Sequence, residues 1–388
     1  MDTTLPIPVP VSAPKFSAHF LLREAAGALG DLGTFVPLAV GMVQIAGLDA
    51  GTVLVTAGVA NIVAGLAFRL PLAVQPMKAI CALAIGGALT GPQAMVAGLF
   101  VGVGMAALAA FRAVRALARA VPGTVLRGVQ LTVACELLIR GVRFAFSISH
   151  PEIGMVGALL GVWLLRRRLE WVAIGLLGAG LFLAAWHQSG LLAVPPLSFW
   201  RPQLMHFDTA ALEGIWRGGL PQVPLTLLNS VLAVSALAVQ LYPNRATRVT
   251  VTRMALSVGL LNLFACPLGG LPLCHGSGGL AGQHRLGARS GLSVVMLGGA
   301  KLTLGLCFSA AALAWMQAFP VNILGLFLVL AGLSLAEASR FWESRAGILV
   351  AAIMIAVHFS TGWLLAAFGA GWIVCLVVER KSTCQKPN

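Results

Sequence analysis

Charge is scarce in this chain. Only 10% of the 388 residues are charged, just 12 are acidic, and there is a single tyrosine. A soluble protein needs more polar surface than that, and with 59% hydrophobic residues no soluble core could hide the apolar remainder. Also missing are a CxxC pair and any His-rich ligand spacing, which argues against a metal or redox framework. The seven cysteines, Cys81, Cys135, Cys266, Cys274, Cys307, Cys375 and Cys384, are scattered, most of them inside apolar runs, as small buried hydrophobes would be. No GxxxxGK[ST] loop is present to cradle phosphates, so nothing argues for an ATP-driven pump. Met1 to Pro14 holds four prolines and no basic stretch leading into an apolar core, so a short tail is expected and not a cleaved signal.

What is present is a succession of apolar runs. They fall near 24–46, 50–68, 91–111, 123–140, 152–165, 169–187, 218–241, 249–266, 291–314, 320–337, 345–358 and 360–378, each long enough or nearly long enough to cross a bilayer. Two shorter segments, 76–89 and 275–284, bring the count to about fourteen. The polar stretch 188–217 divides them seven and seven, with a short segment third in each half. The expected fold is therefore an all-α polytopic membrane protein whose third and tenth segments are short or broken. The expected boundaries are an N-terminal cytoplasmic tail over 1–23, repeats over 24–189 and 218–379, an extracytoplasmic linker over 190–217 and a cytoplasmic tail over 380–388.

An odd number of spans per half inverts the second half, and the basic residues test this. The 26 Lys and Arg give a formal net charge of +14. They lie in small groups between apolar runs and not along one face, which speaks for membrane orientation and against nucleic acid. With both termini cytoplasmic, groups such as Arg112, Arg115 and Arg119, Arg166 to Arg168, Arg245, Arg248 and Arg253 fall inside. Only Arg140, Arg143, Arg201 and Arg217 fall outside, while Lys78 and Lys301 lie within spans. The spacing of Arg112, Arg115 and Arg119 suits a short interfacial amphipathic segment.

Two interruptions point to a solute-binding site. Arg69-Leu-Pro-Leu-Ala-Val-Gln-Pro-Met-Lys-Ala-Ile80 and the Gly-rich stretch Leu271–Gly291 occupy matching positions in the two halves. Irregular backbone at membrane depth implies a protein-lined cavity, and such pairs mark carrier sites. Each halved helix would begin near the bilayer middle, where its unpaired N–H groups and positive dipole end face an anion. Pro76 suits the first helical position because it has no N–H to leave unsatisfied. Lys78 in that first turn calls for a negative partner: an anionic substrate, Asp31 or Glu136, unless it snorkels to the surface.

In the second half, Gly276, Ser277, Gly278 and Gly279 can bring N–H groups close to a ligand, with a hydroxyl donor from Ser277; close helix packing is the alternative. His275 could equally cap or pack that loop. In the first span, Asp31 and Thr34 lie one turn apart. Asp31 could orient Lys78, carry a coupling proton or end a helix. Gln222, between Pro221 and Pro224 of the matching span, is a candidate ligand contact or an interhelical hydrogen-bonding group. Glu136 and Lys301 are structural or coupling candidates.

Three segments carry a resemblance over nearly the whole chain: Gly30-Asp-Leu-Gly-Thr-Phe-Val-Pro37, Ala73-Val-Gln-Pro-Met-Lys-Ala-Ile80 and Leu273–Gly291. They look like the signature segments of the molybdate transporter family, a branch related to the sulfate permeases. The resemblance implies a uracil-permease-like fold of seven plus seven inverted spans, a core and a gate domain, and substrate held between the third and tenth helices. It places Gln75, Pro76, Met77 and Lys78 at the third helix, His275 to Gly279 at the tenth, and Asp31 and Thr34 in the first. The sequence stops at Asn388 soon after the last span, so no STAS domain of the sulfate-permease kind is expected.

The resulting expectation is a carrier, not an enzyme, that imports molybdate by alternating access without a cofactor or bound metal. Tungstate and sulfate are alternative cargoes, since a donor-lined pocket does not read the central atom. A nucleobase permease, which would want a carboxylate where Gln222 stands, an uncoupled anion channel, and an intramembrane enzyme using Cys274 and His275 are further readings. Moving a dianion against a negative-inside potential costs about 4.6 kcal/mol per 100 mV, which calls for a coupled proton or Na⁺ through Asp31 or Glu136. Membrane lipid and a second copy of the chain are the other expected partners, and the Ala-, Gly- and Arg-rich usage suits a bacterial inner membrane.

Overall fold

The computed structural model describes residues 17–120, 122–146, 169–193, 195–202, 204–339, 342 and 344–384. In chain order the elements are α1 (Ala18–Ala28), α2 (Leu32–Gln44), α3 (Ala50–Phe68), β1 (Val74–Pro76), α4 (Lys78–Ile85), α5 (Gly91–Ala110), α6 (Val114–Ala120), α7 (Gly123–Ala145) and α8 (Leu169–His187). There follow α9 (Leu220–Leu225), α10 (Ala233–Leu241), α11 (Val251–Ala265), β2 (Leu273–His275), α12 (Ser277–Arg285), α13 (Leu292–Cys307), α14 (Ser309–Ala318), α15 (Val321–Ser339), α16 (Arg345–Thr361) and α17 (Leu364–Cys384). Among the described residues, five helices are long and apolar enough to cross a membrane, or six if one bent pair counts as a span. The fold is thus mostly helical, and the apolar segment expected at 152–165 lies outside the described residues.

Local chemistry sets the helix ends. Ser17 caps α1 by accepting from Phe20 N–H, Asp49 caps α3 by accepting from Thr52 N–H at 2.6 Å, and Thr90 and Gln93 form a capping box at α5. Helix α1 therefore begins inside the segment expected to be a tail, and at the other end α17 runs through residue 380 to Cys384. A single 3₁₀ turn, Leu29–Asp31, joins α1 to α2 within one span, Ala18–Gln44, so Asp31 sits where that helix tightens.

The middle of the fold is a two-stranded antiparallel sheet. Val74 pairs with His275, Gln75 with Cys274 and Pro76 with Leu273. Each strand then turns into a half-helix, α4 after Met77 and α12 after Gly276. Pro76 accordingly lies in β1 and is not the first helical residue: the strand pairing claims the backbone up to Met77, whose N–H donates to Pro272 O at 2.8 Å. Buried amides clamp the strand starts. Asn61 of α3 accepts from Val74 N–H at 3.0 Å. Asn262 of α11 accepts from Leu273 N–H at 2.8 Å and donates to Leu273 O at 2.6 Å. The two clamps come from the helices that lead into the two strands.

Glycine permits the close helix contacts around this sheet. Gly51, Gly58 and Gly65 recur every seven residues on α3 and face Gly305, Gly298 and Gly291 along and at the head of α13. A Cβ on Gly58 would lie 2.9 Å from Gly298 O, and one on Gly65 would lie 2.6 Å from Gly291 O. Helices α5 and α11 meet in the same manner, with a Cβ on Gly259 only 2.8 Å from Ala106 N, and Gly141 of α7 abuts Gly325 of α15. Without a hydrophobic driving force between helices in lipid, such contacts rest on dispersion and close backbone approach.

Two spans differ from expectation. The run 291–314 is not one helix: α13 stops at Cys307 and α14 begins at Ser309. Its last carbonyls are taken by the linker, with Ser198 N–H donating to Cys307 O at 2.9 Å and Trp200 N–H to Leu306 O at 3.0 Å. Trp200 Nε1 also donates to Thr52 Oγ1 at 2.9 Å, tying the linker to the head of α3. The run 218–241 begins earlier, at Ile215, and passes through π-helical turns at Ile215–Gly219 and Thr226–Leu232 on either side of α9. Pro221 and Pro224 lack N–H groups, and the wider turns redistribute the carbonyls they leave. Of the arginine-spaced segment, Arg115 and Arg119 lie in α6, while Arg112 stands in the turn before it with φ 53°.

Asn262→Ala leaves both main-chain groups of Leu273 without their side-chain partner, a loss on the order of 2 kcal/mol or more. We expect it to lower the thermal unfolding midpoint in detergent further than Asn61→Ala, which removes one such bond; equal midpoints for both variants and wild type would refute the clamp.

Candidate functional site

A cavity of about 200 Å³ lies where the two half-helices begin. Of the candidates from sequence, Gln75, Pro76, Lys78, His275, Gly276, Ser277, Gly278 and Gln222 line it. Met77, Gly279, Asp31 and Thr34 do not. Met77 is the residue before α4 and is fully buried, Gly279 backs Gln75, and Thr34 stands on α2.

The walls are rich in donors. At the heads of α4 and α12 the N–H groups of residues 78–80 and 277–279 precede the first intrahelical donors, because Cys81 N–H bonds to Met77 O and Leu280 N–H to Gly276 O. Both helix heads therefore present positive ends to one space. Ser277 adds its hydroxyl and Lys78 its ammonium group. Among the described residues no carboxylate comes within 4.0 Å of the Lys78 ammonium group, and no Asp or Glu lines the cavity. Gln222 bonds Thr226 Oγ1 through Nε2 at 3.0 Å, while the other end of its amide is buried and unpartnered.

Glycine shapes the floor. A Cβ on Gly276 would collide with the Gln75 amide, and one on Gly279 would lie 2.5 Å from Gln75 Nε2 and 3.1 Å from Asp31 Oδ1. At Gly278 a Cβ would meet nothing within 4 Å. Packing thus demands glycine at 276 and 279, whereas at 278 it borders open space in the cavity.

Asp31 serves a different partner from the ones expected. It is fully buried, accepts from Gln75 Nε2, and faces Lys301 with 3.9 Å between Oδ2 and Nζ. The Lys301 ammonium also sits 3.3 Å from the Phe35 ring centroid, a cation–π contact. Lys78 does not come within 4.0 Å of Asp31: Gln75 bonds Oδ1, and Lys301 faces Oδ2, which accepts no hydrogen bond from the described residues. The Gln75 amide nitrogen is directed at Asp31 and its carbonyl at Gly276, so Gln75 supports the site more than it supplies a donor.

His275 contributes to the wall, but both ring nitrogens are engaged. Nδ1 lies 3.2 Å from Ala73 O and Nε2 lies 2.9 Å from Ser257 Oγ. A carbonyl can only accept, so Nδ1 carries the proton and Nε2 accepts from the serine. Glu136 is elsewhere again: it bonds Arg140 Nε at 3.0 Å and faces His358 Nε2 at 3.5 Å, beside Gly86 at the end of α4. It does not line the cavity.

Sequence reading missed several wall residues. Gln130 of α7 donates to Asn229 Oδ1 at 2.7 Å, and Ser230 and Ser334 line the cavity beside it. Their signal was present as isolated amides and hydroxyls in apolar runs, which carry a cost in lipid unless they have a partner.

Residues 23–137 and 214–335 match the family model described as "Molybdate transporter of MFS superfamily". The chain belongs to the molybdate transporter family. Both matched stretches carry the strand and half-helix that build the cavity. The chain is 33% identical to Molybdate transporter 2 of Arabidopsis thaliana, over 93% of this chain and 88% of that one. It is 32% identical to Molybdate transporter 1 of Chlamydomonas reinhardtii, over 91% of each.

Solved structures define the fold that this family member adopts. The transmembrane domain of the cyanobacterium bicarbonate transporter BicA superposes with a TM-score of 0.60 at 16% identity, covering 92% of this chain and 98% of that one. The murine anion transporter Slc26a9 in its inward-facing state gives 0.68 at 12%, covering 95% and 70%. The chain is accordingly an integral membrane protein with a sulfate-permease-like fold, in a family of transporters and not of enzymes.

Gly278→Ala should leave the unfolding midpoint near wild type yet weaken oxyanion binding about tenfold, near 1.4 kcal/mol, by placing a methyl in the open space. Gly276→Ala should instead lower the yield of folded protein. Tryptophan fluorescence titration and detergent melting on the two variants separate these outcomes, and unaltered binding by a folded Gly278→Ala would remove that glycine from the site.

Proposed function

We propose that this protein imports molybdate across a bacterial inner membrane by alternating access, holding the anion between the heads of α4 and α12. The observation that carries this reading is the convergence of two half-helix N-termini, Ser277 and Lys78 on one cavity, with no carboxylate among the described residues in its wall or within 4.0 Å of the Lys78 ammonium group. A tetrahedral dianion accepts hydrogen bonds at every oxygen and donates none, which is the complement of such a wall. The nucleobase alternative loses ground because ring N–H groups would want a facing carboxylate, and among the described residues the wall offers the Gln222 amide instead. Sulfate has the same shape and charge as molybdate, so preference between them rests on family membership.

The two halves act in this proposal as inverted seven-span repeats, 24–189 and 218–379, with both termini cytoplasmic. Support comes from the pairing of equivalent parts. Asn61 and Asn262 clamp equivalent strand starts, β1 pairs with β2, and α3 packs on α13 as α11 packs on α5. The elements that bear the half-helices form a core, and α7, α15, α16 and α17 form a gate against which it moves. Gln130 of the gate and Asn229 opposite it then meet across the cavity.

A coupled ion would offset the electrical cost of carrying a dianion inward. Asp31 is the carrier best connected to the site, through Gln75. Its partners are donors, Gln75 Nε2 and Lys301 Nζ, whereas a Na⁺ site needs a ring of oxygens. Proton coupling is the better fit. Glu136, held by Arg140 and His358, is the second carrier to test.

Binding of molybdate to purified protein, with sulfate, tungstate, phosphate and uracil as competitors, tests the cargo. Tight molybdate and tungstate binding that is weakened at least tenfold by Ser277→Ala and by Lys78→Met supports the reading; a preference for sulfate or uracil overturns the cargo while leaving the fold intact.

Uptake into proteoliposomes tests the coupling. An inward proton gradient should accelerate molybdate entry, a Na⁺ gradient should not, and Asp31→Asn should abolish the proton response while Glu136→Gln retains it. Wild-type uptake that is equally fast after a protonophore would refute proton coupling.

A further inference from the structure

A second cavity, of about 510 Å³, opens along the membrane-facing groove between α3 and α11 and is unconnected with the anion site. Its floor is apolar, and several of its side chains are exposed: Val63 by 54%, Leu256 by 42% and Leu260 by 56%. These residues belong to two spans, so the medium they face is hydrocarbon. Arg248 and Arg253 stand at one end of the groove. Arg248 reaches Ala67 O in the last turn of α3 at 3.4 Å, and Arg253 lies in the first turn of α11, where the helix dipole adds positive potential. Among the described residues no carboxylate lies within 4.0 Å of either guanidinium group.

We infer that this groove is a binding site for an anionic phospholipid of the cytoplasmic leaflet, with its phosphate on Arg248 and Arg253 and an acyl chain along the groove. Charge complementarity selects the head and the apolar floor selects the tail. Free phosphate would use only the arginines, and a zwitterionic lipid would gain less from them. Juxtamembrane arginines attract anionic headgroups in this way.

The groove also touches the support of the anion site. Ser257 in its wall bonds His275 Nε2, and Phe68 packs edge-on against the His275 ring at 5.7 Å. His275 is the last residue of β2. A bound acyl chain therefore rests on the side chains that hold this strand, which gives lipid a route to the transport rate without contact with the anion.

Native mass spectrometry of the purified protein, titrated with phosphatidylglycerol and with phosphatidylcholine, tests the site. Wild type should retain phosphatidylglycerol preferentially, and the double variant Arg248→Gln/Arg253→Gln should bind it on the order of 30-fold more weakly, from the attraction each arginine exerts on an anionic head. Leu260→Trp, which fills the groove, should displace both lipids. Molybdate binding by the double variant in detergent should stay at the wild-type value, so failure here is distinct from failure of the anion site. Equal retention of the two lipids by wild type, an unchanged preference in the double variant, or displacement of phosphatidylglycerol by inorganic phosphate would each overturn the assignment.

Discussion

Main-chain polar groups in the middle of a bilayer have no water to bond, and a helix that begins there leaves several of them open. Two helices of this protein, α4 and α12, begin among buried residues inside the fold. Each is reached by an extended strand that could not stand alone in lipid, and the two strands meet that demand by pairing with each other. Asn61 and Asn262 satisfy groups at the strand starts, and Met77 N–H finds Pro272 O. The first N–H groups of the two helix heads have no intrahelical acceptor, and the heads open toward the cavity. The need to complete the backbone hydrogen bonds thus decides where the binding groups are, and the glycine contacts of α3 with α13 and α5 with α11 bring the surrounding helices close enough to enclose them.

The distribution of the few acids follows from the same geometry. A carboxylate in the cavity wall would repel an anion, and Asp31 stands behind the wall, with the Gln75 amide between them and Lys301 on its far side. The path Lys301, Asp31, Gln75, Gly276 links a charge pair to the floor of the site through contacts that a Cβ at Gly276 would disrupt. Glu136 has its own cation, Arg140, and lies against the end of α4 opposite the end at the cavity. Each acid is thereby compensated without exposing negative charge to the cargo.

Much of this was legible in the sequence. The paired interruptions around Gln75 to Lys78 and His275 to Gly279 stand out because polar and glycine residues break apolar runs, and these residues do converge. The strand pairing was not legible, since three-residue strands show no alternation of their own and their partners lie in the other half of the chain. For that reason Pro76 read as a helix start when it is a strand end. The Asp31–Lys301 pair was hidden likewise: each residue is visible as a charge in a span, but nothing local says that the two meet. Helix α13 reads as continuous to 314 because its stop is imposed by the linker residues Ser198 and Trp200, not by any breaker of its own.

The reliance of β1 on β2 bears on how the protein is made. Leu273 follows Pro76 by roughly 200 residues, so at a synthesis rate of about 5–20 residues per second the first strand is in place for some ~10–40 s before its partner exists. During that interval the Val74 N–H has Asn61 to bond, but the remaining strand groups and the head of α4 have neither partner strand nor cargo. The first half of the chain must wait in the membrane or the translocon as an incomplete piece, and a nascent chain arrested before the second half emerges would be a natural target for membrane quality control.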